Sequence, residues 1–237
     1  MDLSRFSNPA LLFSGGKDSL ALLYLLRDQL EHLTVYHLDT GDLCPETRAV
    51  VAEVRQWIPH FVEVQTDSRK WREANGMPTD LLPTSSEFLG VAYGMSDTRM
   101  TSRFQCCWAN IMKPMHEQLF ADGVDCVIRG TKTADTGKIP FEGQGPDYYV
   151  LLPLRDWSHE RVFEFLKSVG APVNPIYETF RATSAPECLT CTAWWDDGKG
   201  AYLKARHPAE HALYHKNLLT IKKSLQSHLA DLERELD

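Results

Sequence analysis

The sequence predicts an α/β fold, a doubly wound and mostly parallel sheet with a loop and a helix at its C-terminal end. Apolar runs of strand length alternate with amphipathic stretches of helix length. The first run, Leu11-Leu12-Phe13, passes through Ser14-Gly15-Gly16 straight into a helix pattern. The 237 residues are 43% hydrophobic, enough to bury one full core of this kind.

Each element follows from its local pattern. Residues 11–14 read as the first strand and 18–30 as a helix, with Leu22, Leu23, Leu25 and Leu26 on its apolar face. Residues 33–38 read as a second strand that ends at Asp39-Thr40-Gly41. Pro45 opens a helix over 46–58, since proline suits a first turn. Residues 60–64 are a third strand. Residues 66–103, rich in proline and glycine, read as short helices and an active-site flap. A helix is expected over 109–121, with Pro114 bending it or marking its start. Strands follow at 124–128 and 148–152, and Ser158 caps a further helix. Residues 187–200 read as a loop. The last helix spans 209–236, with Leu213, Leu218, Leu225, Leu229 and Leu232 on one face. Parallel sheets of this kind place ligands at the carboxyl ends of their strands.

The net charge of −7 argues against a broadly basic nucleic-acid surface, leaving only a local groove for such a partner. No apolar run reaches the length of a membrane span. Met1-Asp2-Leu3-Ser4-Arg5 lacks the layout of a signal peptide, so the expected location is cytoplasmic. In a reducing compartment, clustered cysteines point to metal or redox chemistry, not to disulfides.

The turn after the first strand has the chemistry of an anion site. Two glycines allow a tight turn and close backbone approach. The helix start offers free N–H groups and a positive dipole end. Ser14 and Ser19 add hydroxyls, and Lys17 a cation. It is not a Walker A loop, because Leu11 stands at the first glycine position and Asp18 follows the lysine.

Ser14-Gly15-Gly16-Lys17-Asp18-Ser19 instead resembles the PP-loop of the adenine-nucleotide alpha hydrolases. His37-Leu38-Asp39-Thr40-Gly41 with Pro45-Glu46-Thr47 is similar to a signature of the phosphoadenylyl-sulfate (PAPS) reductase family. Gly130-Thr131-Lys132-Thr133-Ala134-Asp135 resembles that family's Gly-x-Arg-x-x-Glu/Asp segment, with Lys132 where arginine is usual. Leu152-Pro153-Leu154-Arg155-Asp156-Trp157 and Asn174-Pro175-Ile176-Tyr177 resemble a further element of it. The resemblance implies a Rossmann-like sheet. It implies nucleotide contacts from Ser14, Gly15, Gly16, Lys17, Asp18, Ser19, Asp39, Thr40, Gly130 and Thr131. It implies catalytic roles for Lys17, Asp18, Lys132 and Lys138.

Cys106-Cys107 and Cys188-Leu189-Thr190-Cys191 supply four thiols, enough to close a tetrahedral zinc or a four-iron cluster. A doublet plus a distant C-x-x-C resembles the adenylyl-sulfate (APS) reductase branch, which implies a 4Fe–4S cluster, with zinc as the alternative. Three features depart from the family. No cysteine follows Cys191, where sulfonucleotide reductases carry a nucleophile. Asn110 and Ile111 replace an Arg-Lys pair, with Lys113 the nearest substitute. The PP-loop is intact, as in enzymes that split ATP to AMP and pyrophosphate. The expected activity is therefore ATP- and Mg²⁺-dependent sulfur transfer to an unnamed acceptor, with nucleic acid among the candidates. PAPS or APS reduction with an external thiol is the alternative, and a non-catalytic nucleotide- or cluster-binding partner the third reading. Residues 1–180 are expected to form the nucleotide unit and 181–237 a cluster loop and helical tail that could pair with a second copy.

Overall fold

The computed structural model describes residues 2–179, 188–195 and 198–237. The expected loop over 187–200 and the expected boundary at 180 lie partly outside the described residues.

The chain opens with β1 (Pro9–Leu12) and α1 (Lys17–Leu25). A 3-10 turn (Arg27–His32) follows, where the sequence predicts an unbroken helix to residue 30. The Gln29 N–H bonds the Leu26 carbonyl three residues back, and this tighter winding buries Leu30 and Leu33. Next come β2 (Thr34–Asp39), α2 (Pro45–Arg55), β3 (Phe61–Gln65) and α3 (Ser68–Asn75). Asp67 caps α3 by accepting from the Lys70 N–H at 2.9 Å. Residues 66–103 also hold β4 (Met77–Thr79), α4 (Phe88–Ala92) and β5 (Met100–Ser102); β4 and β5 pair in parallel.

α5 (Arg103–Cys107) runs through a π turn (Trp108–Met112) into α6 (Lys113–Ala121), with Pro114 in the first turn of α6. β6 (Cys126–Ile128), α7 (Thr133–Thr136), β7 (Gly143–Gln144) and β8 (Tyr149–Leu151) follow. α8 (His159–Ser168) is capped by Ser158, whose hydroxyl accepts from the Arg161 N–H. The chain ends with α9 (Ile176–Thr179), α10 (Lys199–Arg206) and α11 (Pro208–Leu236).

Six strands form one sheet in the order β3-β2-β1-β6-β8-β7, parallel except for the short edge strand β7. The strand pattern of period two feeds two cores. Leu11, Val35, Cys126 and Ile128 face one side, where Leu20, Leu22 and Leu23 of α1, Val50 and Val54 of α2 and Val162 of α8 cover them. Ala10, Tyr36 and Val127 face the other side, under Leu119 of α6. Fully burying a leucine contributes about 1.5–3 kcal/mol, so α1 is held by its packing more than by its propensity. β1 lies at the middle of the sheet, and the turn after it therefore opens at the centre of the carboxyl edge.

His37 on β2 is buried, and its Nδ1 donates to the Phe13 carbonyl at 2.8 Å. Burial pushes the imidazole below its usual value, against the pull of that bond and of Glu63 and Asp39. The unfolded chain takes up the proton that the folded chain refuses, so stability is full above the ordinary imidazole value of 6.5 and falls as pH drops below it. His37→Gln should be less stable at neutral pH yet lose less between pH values of roughly 7.5 and 5.5. Urea denaturation at both pH values checks this, and equal losses in variant and parent would refute it.

Candidate active site

The turn after β1 is built from its own hydroxyls. The Ser19 hydroxyl donates to the Gly16 carbonyl at 3.0 Å and accepts from the Ser14 N–H at 3.2 Å. Gly15 has φ +78°, and a Cβ there would stand 2.8 Å from Thr47 Cγ2 on α2. Glycine is required twice over, by the backbone and by the approach of α2. At the start of α1 the Lys17 N–H donates to the Tyr177 hydroxyl at 3.0 Å, so α9 covers the helix end.

Beneath the turn lies a chain of alternating charges. Lys17 Nζ stands 2.7 Å from Asp18 Oδ2, Lys132 Nζ 2.8 Å from Asp18 Oδ1, and the same nitrogen 2.6 Å from Asp135 Oδ1. Both lysine side chains are 0% exposed. Burial pushes the Lys17 ammonium down, and Asp18 opposes that shift. The segment after β6 closes onto α1 at Gly130, where a Cβ would meet the Asp18 carbonyl carbon at 2.9 Å.

These parts frame a cavity of about 300 Å³ at the carboxyl ends of β1, β2 and β6. Leu38, Leu43, Ile111 and Met115 form an apolar wall suited to a flat base. Ser14, Asp18, Ser19, Arg129, Thr131 and Asp135 supply the polar floor.

Two of the expected thiols, Cys106 and Cys188, have defined partners on neighbouring elements. Cys106 lies on α5, where the Asn110 amide of the π turn donates to its carbonyl at 2.9 Å and reaches its sulfur at 3.8 Å. The Cys188 thiol donates to the Thr40 hydroxyl at 3.4 Å. Asp42 ties the C-x-x-C turn to the end of β2. Its carboxylate accepts from Arg72 at 2.6 Å, Arg69 at 2.7 Å and the Thr190 hydroxyl at 2.7 Å, and its carbonyl accepts from the Leu189 N–H. Burial pushes the Cys106 thiol up to about 12, with Cys191, Cys188 and Cys107 adding to the rise and Arg72 opposing it. Burial likewise lifts Cys188 to about 11, with Cys191 contributing. Among the described residues, which include all four cysteines, no three His, Cys, Asp or Glu side chains stand in a coordinating arrangement, so the expected quartet is not drawn together as a ligand set. The sulfurs are soft donors of the kind thiolate-bound metals take, but Cys106 and Cys191 are buried while Cys107 and Cys188 are half-buried, and the four do not converge on one point.

The family profile described as the phosphoadenosine phosphosulfate reductase domain matches residues 8–183. The chain belongs to this family. A phosphoadenosine 5'-phosphosulfate reductase of Xanthomonas campestris pv. campestris (strain B100) is 25% identical over 175 residues, covering 71% of this chain and 66% of the relative. An adenosine 5'-phosphosulfate reductase of Salinibacter ruber is 24% identical over 191 residues, covering 78% of this chain and 68% of the relative. The chain thus spans about two thirds of the length of these curated relatives. The crystal structure of PAPS reductase from Candida auris, a phosphate complex, superposes with a TM-score of 0.54 at 14% identity, covering 74% of this chain and 79% of that one. That likeness confirms the Rossmann-like fold.

In this PAPS reductase family member, several sequence expectations change. Lys17 is not an exposed helix-start lysine: its charge is turned onto Asp18 under the turn. Lys132 is placed the same way, while Lys138 is exposed and outside the cavity lining. Asp39 and Thr40 do not line the cavity either. Asp39 pairs with Arg48 at 2.7 Å, and Thr40 turns to Cys188. Lys113 pairs with Glu117 on the surface, so it does not replace the missing Arg-Lys pair. Arg129 and Asp135 line the cavity and Asp42 anchors the C-x-x-C turn, roles the sequence motifs do not assign to them. Asp135 was visible as the acidic end of the Gly130–Asp135 segment, whereas nothing local marks Asp42.

Proposed function

We propose that the cavity binds an adenine sulfonucleotide, PAPS or APS, for thiol-dependent reduction to sulfite. The observation that carries this reading is the single cavity that joins an apolar base wall to the PP-loop and the Arg129–Thr131 segment. The base would lie against Leu38 and Met115. Ser14, Ser19 and the N–H groups of the turn would hold the phosphate, and Arg129 the sulfate end. A thiolate attacks the sulfonyl sulfur, the sulfur–oxygen bond to phosphate breaks, and the adenosine phosphate leaves. A second thiol then displaces sulfite and closes a disulfide. Among the described residues no cysteine lines the cavity, and burial holds the Cys44 thiol at about 12, so a separate dithiol supplies both electrons.

A specific feature favours a second reading. Asp18 and Asp135 present carboxylates to the cavity floor, a surface that repels bare phosphate. A nucleotide accompanied by a divalent cation relieves that repulsion, as ATP with Mg²⁺ would when split to AMP and pyrophosphate. Cys106, Cys107, Cys188 and Cys191 would hold a 4Fe–4S cluster or zinc, which when bound supplies electron storage or structural closure respectively. Residues 1–180 act here as the nucleotide unit, and 181–237 complete the cysteine region.

Product analysis separates the readings. Reduced protein is incubated anaerobically with PAPS, APS or ATP–Mg²⁺, each with a dithiol present. Sulfite from PAPS or APS is the expected result. Pyrophosphate and AMP from ATP, without sulfite from either sulfonucleotide, would install the second reading.

A further inference from the structure

A second cavity, of about 320 Å³, opens among α3, α4, β5 and α5 and shares no lining residue with the nucleotide cavity. Trp71 and Asn75 stand one turn apart on α3 and reach it from the same helix face. Phe88 opens α4 and leaves 61% of its surface exposed. The Arg99 guanidinium carbon lies 4.9 Å from the centre of that ring. The backbone at Arg99 is firmly placed. Gly76 has φ +101°, and a Cβ there would stand 2.6 Å from the Arg99 carbonyl oxygen. Arg99 Nη1 donates to the Ala74 carbonyl, while its Nε is buried with no hydrogen-bond partner. Among the described residues no carboxylate pairs with this guanidinium, although Glu87 lines the same cavity. Two amides are oriented as well. The Thr101 hydroxyl donates to Gln105 Oε1 at 2.9 Å, which leaves Gln105 Nε2 to donate elsewhere. Asn75 Nδ2 donates to the Trp71 carbonyl at 2.8 Å, which leaves Asn75 Oδ1 to accept.

We propose that this second cavity binds a guanine base. Trp71 and Phe88 offer flat apolar surface on which a ring can stack. The polar lining combines an uncompensated guanidinium and an amide donor with a carboxylate and an amide acceptor, and a ligand has to satisfy both kinds at once. Guanine does so. Its N1–H and 2-amino group are adjacent donors that one carboxylate accepts together, a role for Glu87. Its O6 and N7 are acceptors that suit an arginine, a role for Arg99 with Gln105 beside it. Adenine lacks the adjacent donor pair. The single N3–H of uracil lies between two carbonyls, which a carboxylate repels. Glu87 and Arg99 thus select guanine together, and the adenine end of a sulfonucleotide finds no match here.

The test titrates the full-length protein calorimetrically with GMP, with AMP, and with IMP, which lacks the 2-amino group. GMP should bind, IMP should bind more weakly, and saturating AMP should leave GMP binding unchanged. Glu87→Gln and Arg99→Met should each weaken GMP binding at least ~10-fold, the scale of a hydrogen bond to a charged group. Glu87 is exposed, so Glu87→Gln should melt at the parent's temperature and carries the test even where Arg99→Met fails to fold. A parent that does not bind GMP, equal GMP affinity in parent and Glu87→Gln, or displacement of GMP by AMP would each overturn the proposal. A short single-stranded RNA with one guanosine, set beside the same strand with adenosine in its place, identifies the source of the base. Selective binding of the guanosine strand assigns it to RNA, and GMP binding without strand binding assigns it to a free nucleotide. Sulfite release from PAPS or APS is read separately, so failure here leaves the proposed reaction standing and the reverse holds too.

Discussion

Asp42→Ala should cost about 3–5 kcal/mol and release the C-x-x-C turn from the end of β2. The carboxylate is 0% exposed, and Arg72, its closest partner, is only 10% exposed. Removing the anion strands a buried guanidinium, leaves the Thr190 N–H without its acceptor and takes away the group to which the Thr190 hydroxyl donates. The Arg69 arm contributes less, because its side chain is half exposed. Burial alone would raise the Asp42 carboxyl, but Arg72, Thr190 and Arg69 hold it below the ordinary carboxylate value of 3.8. The contribution is therefore complete above that value and is lost as pH falls beneath it. Urea denaturation near neutral pH gives the energy, and limited proteolysis should cut around residues 188–195 first. A loss under about 1 kcal/mol would place Asp42 among ordinary surface pairs.

Lys132→Met should both destabilise the protein by about 3 kcal/mol and lower nucleotide affinity at least ~10-fold. The lysine bridges Asp18 and Asp135, which are 21% and 29% exposed, so the energy lies at the low end for a broken buried pair. Without the ammonium, two carboxylates face an incoming phosphate with only Lys17 behind them. Lys132→Arg should keep most of the affinity, because charge is retained although the fork geometry differs. Calorimetric titration with AMP and with ATP–Mg²⁺ measures both variants. Unchanged affinity in Lys132→Met would show that the charge chain is structural only.

The strand, glycine turn and helix of residues 11–19 were legible because their determinants are local. Gly15, Gly16 and the two serines must follow an apolar strand and precede a helix, and all of that lies within nine residues. The alternation of strands and helices was legible for the same reason. What escaped was settled by residues distant in sequence. Lys17 reads as an exposed helix-start lysine until Lys132 and Asp135 arrive from beyond β6 to complete the charge chain. Thr40 belongs to a nucleotide-like motif, yet its partner is Cys188, 148 residues away. Asp42 looks like a turn residue beside Gly41, and only the packing of α3 and the C-x-x-C turn makes it a hub. The helix expected over 109–121 differed because the π turn at Trp108–Met112 joins α5 to α6, winding that aims Asn110 at Cys106.

The position of β1 in the sheet also sets a kinetic order. β1 pairs with β2 after a short excursion, but its other edge waits for β6, with Pro9 opposite Cys126. During synthesis the N-terminal half therefore carries an open, apolar strand edge until more than a hundred further residues have emerged. Closing that edge is a long-range event, and such contacts slow folding. The same closure brings Gly130 against Asp18, so the cavity forms only once that long-range contact is made. A nucleotide that binds only the closed form would then act as a trap for the finished sheet, drawing late intermediates to completion and sparing them from aggregation.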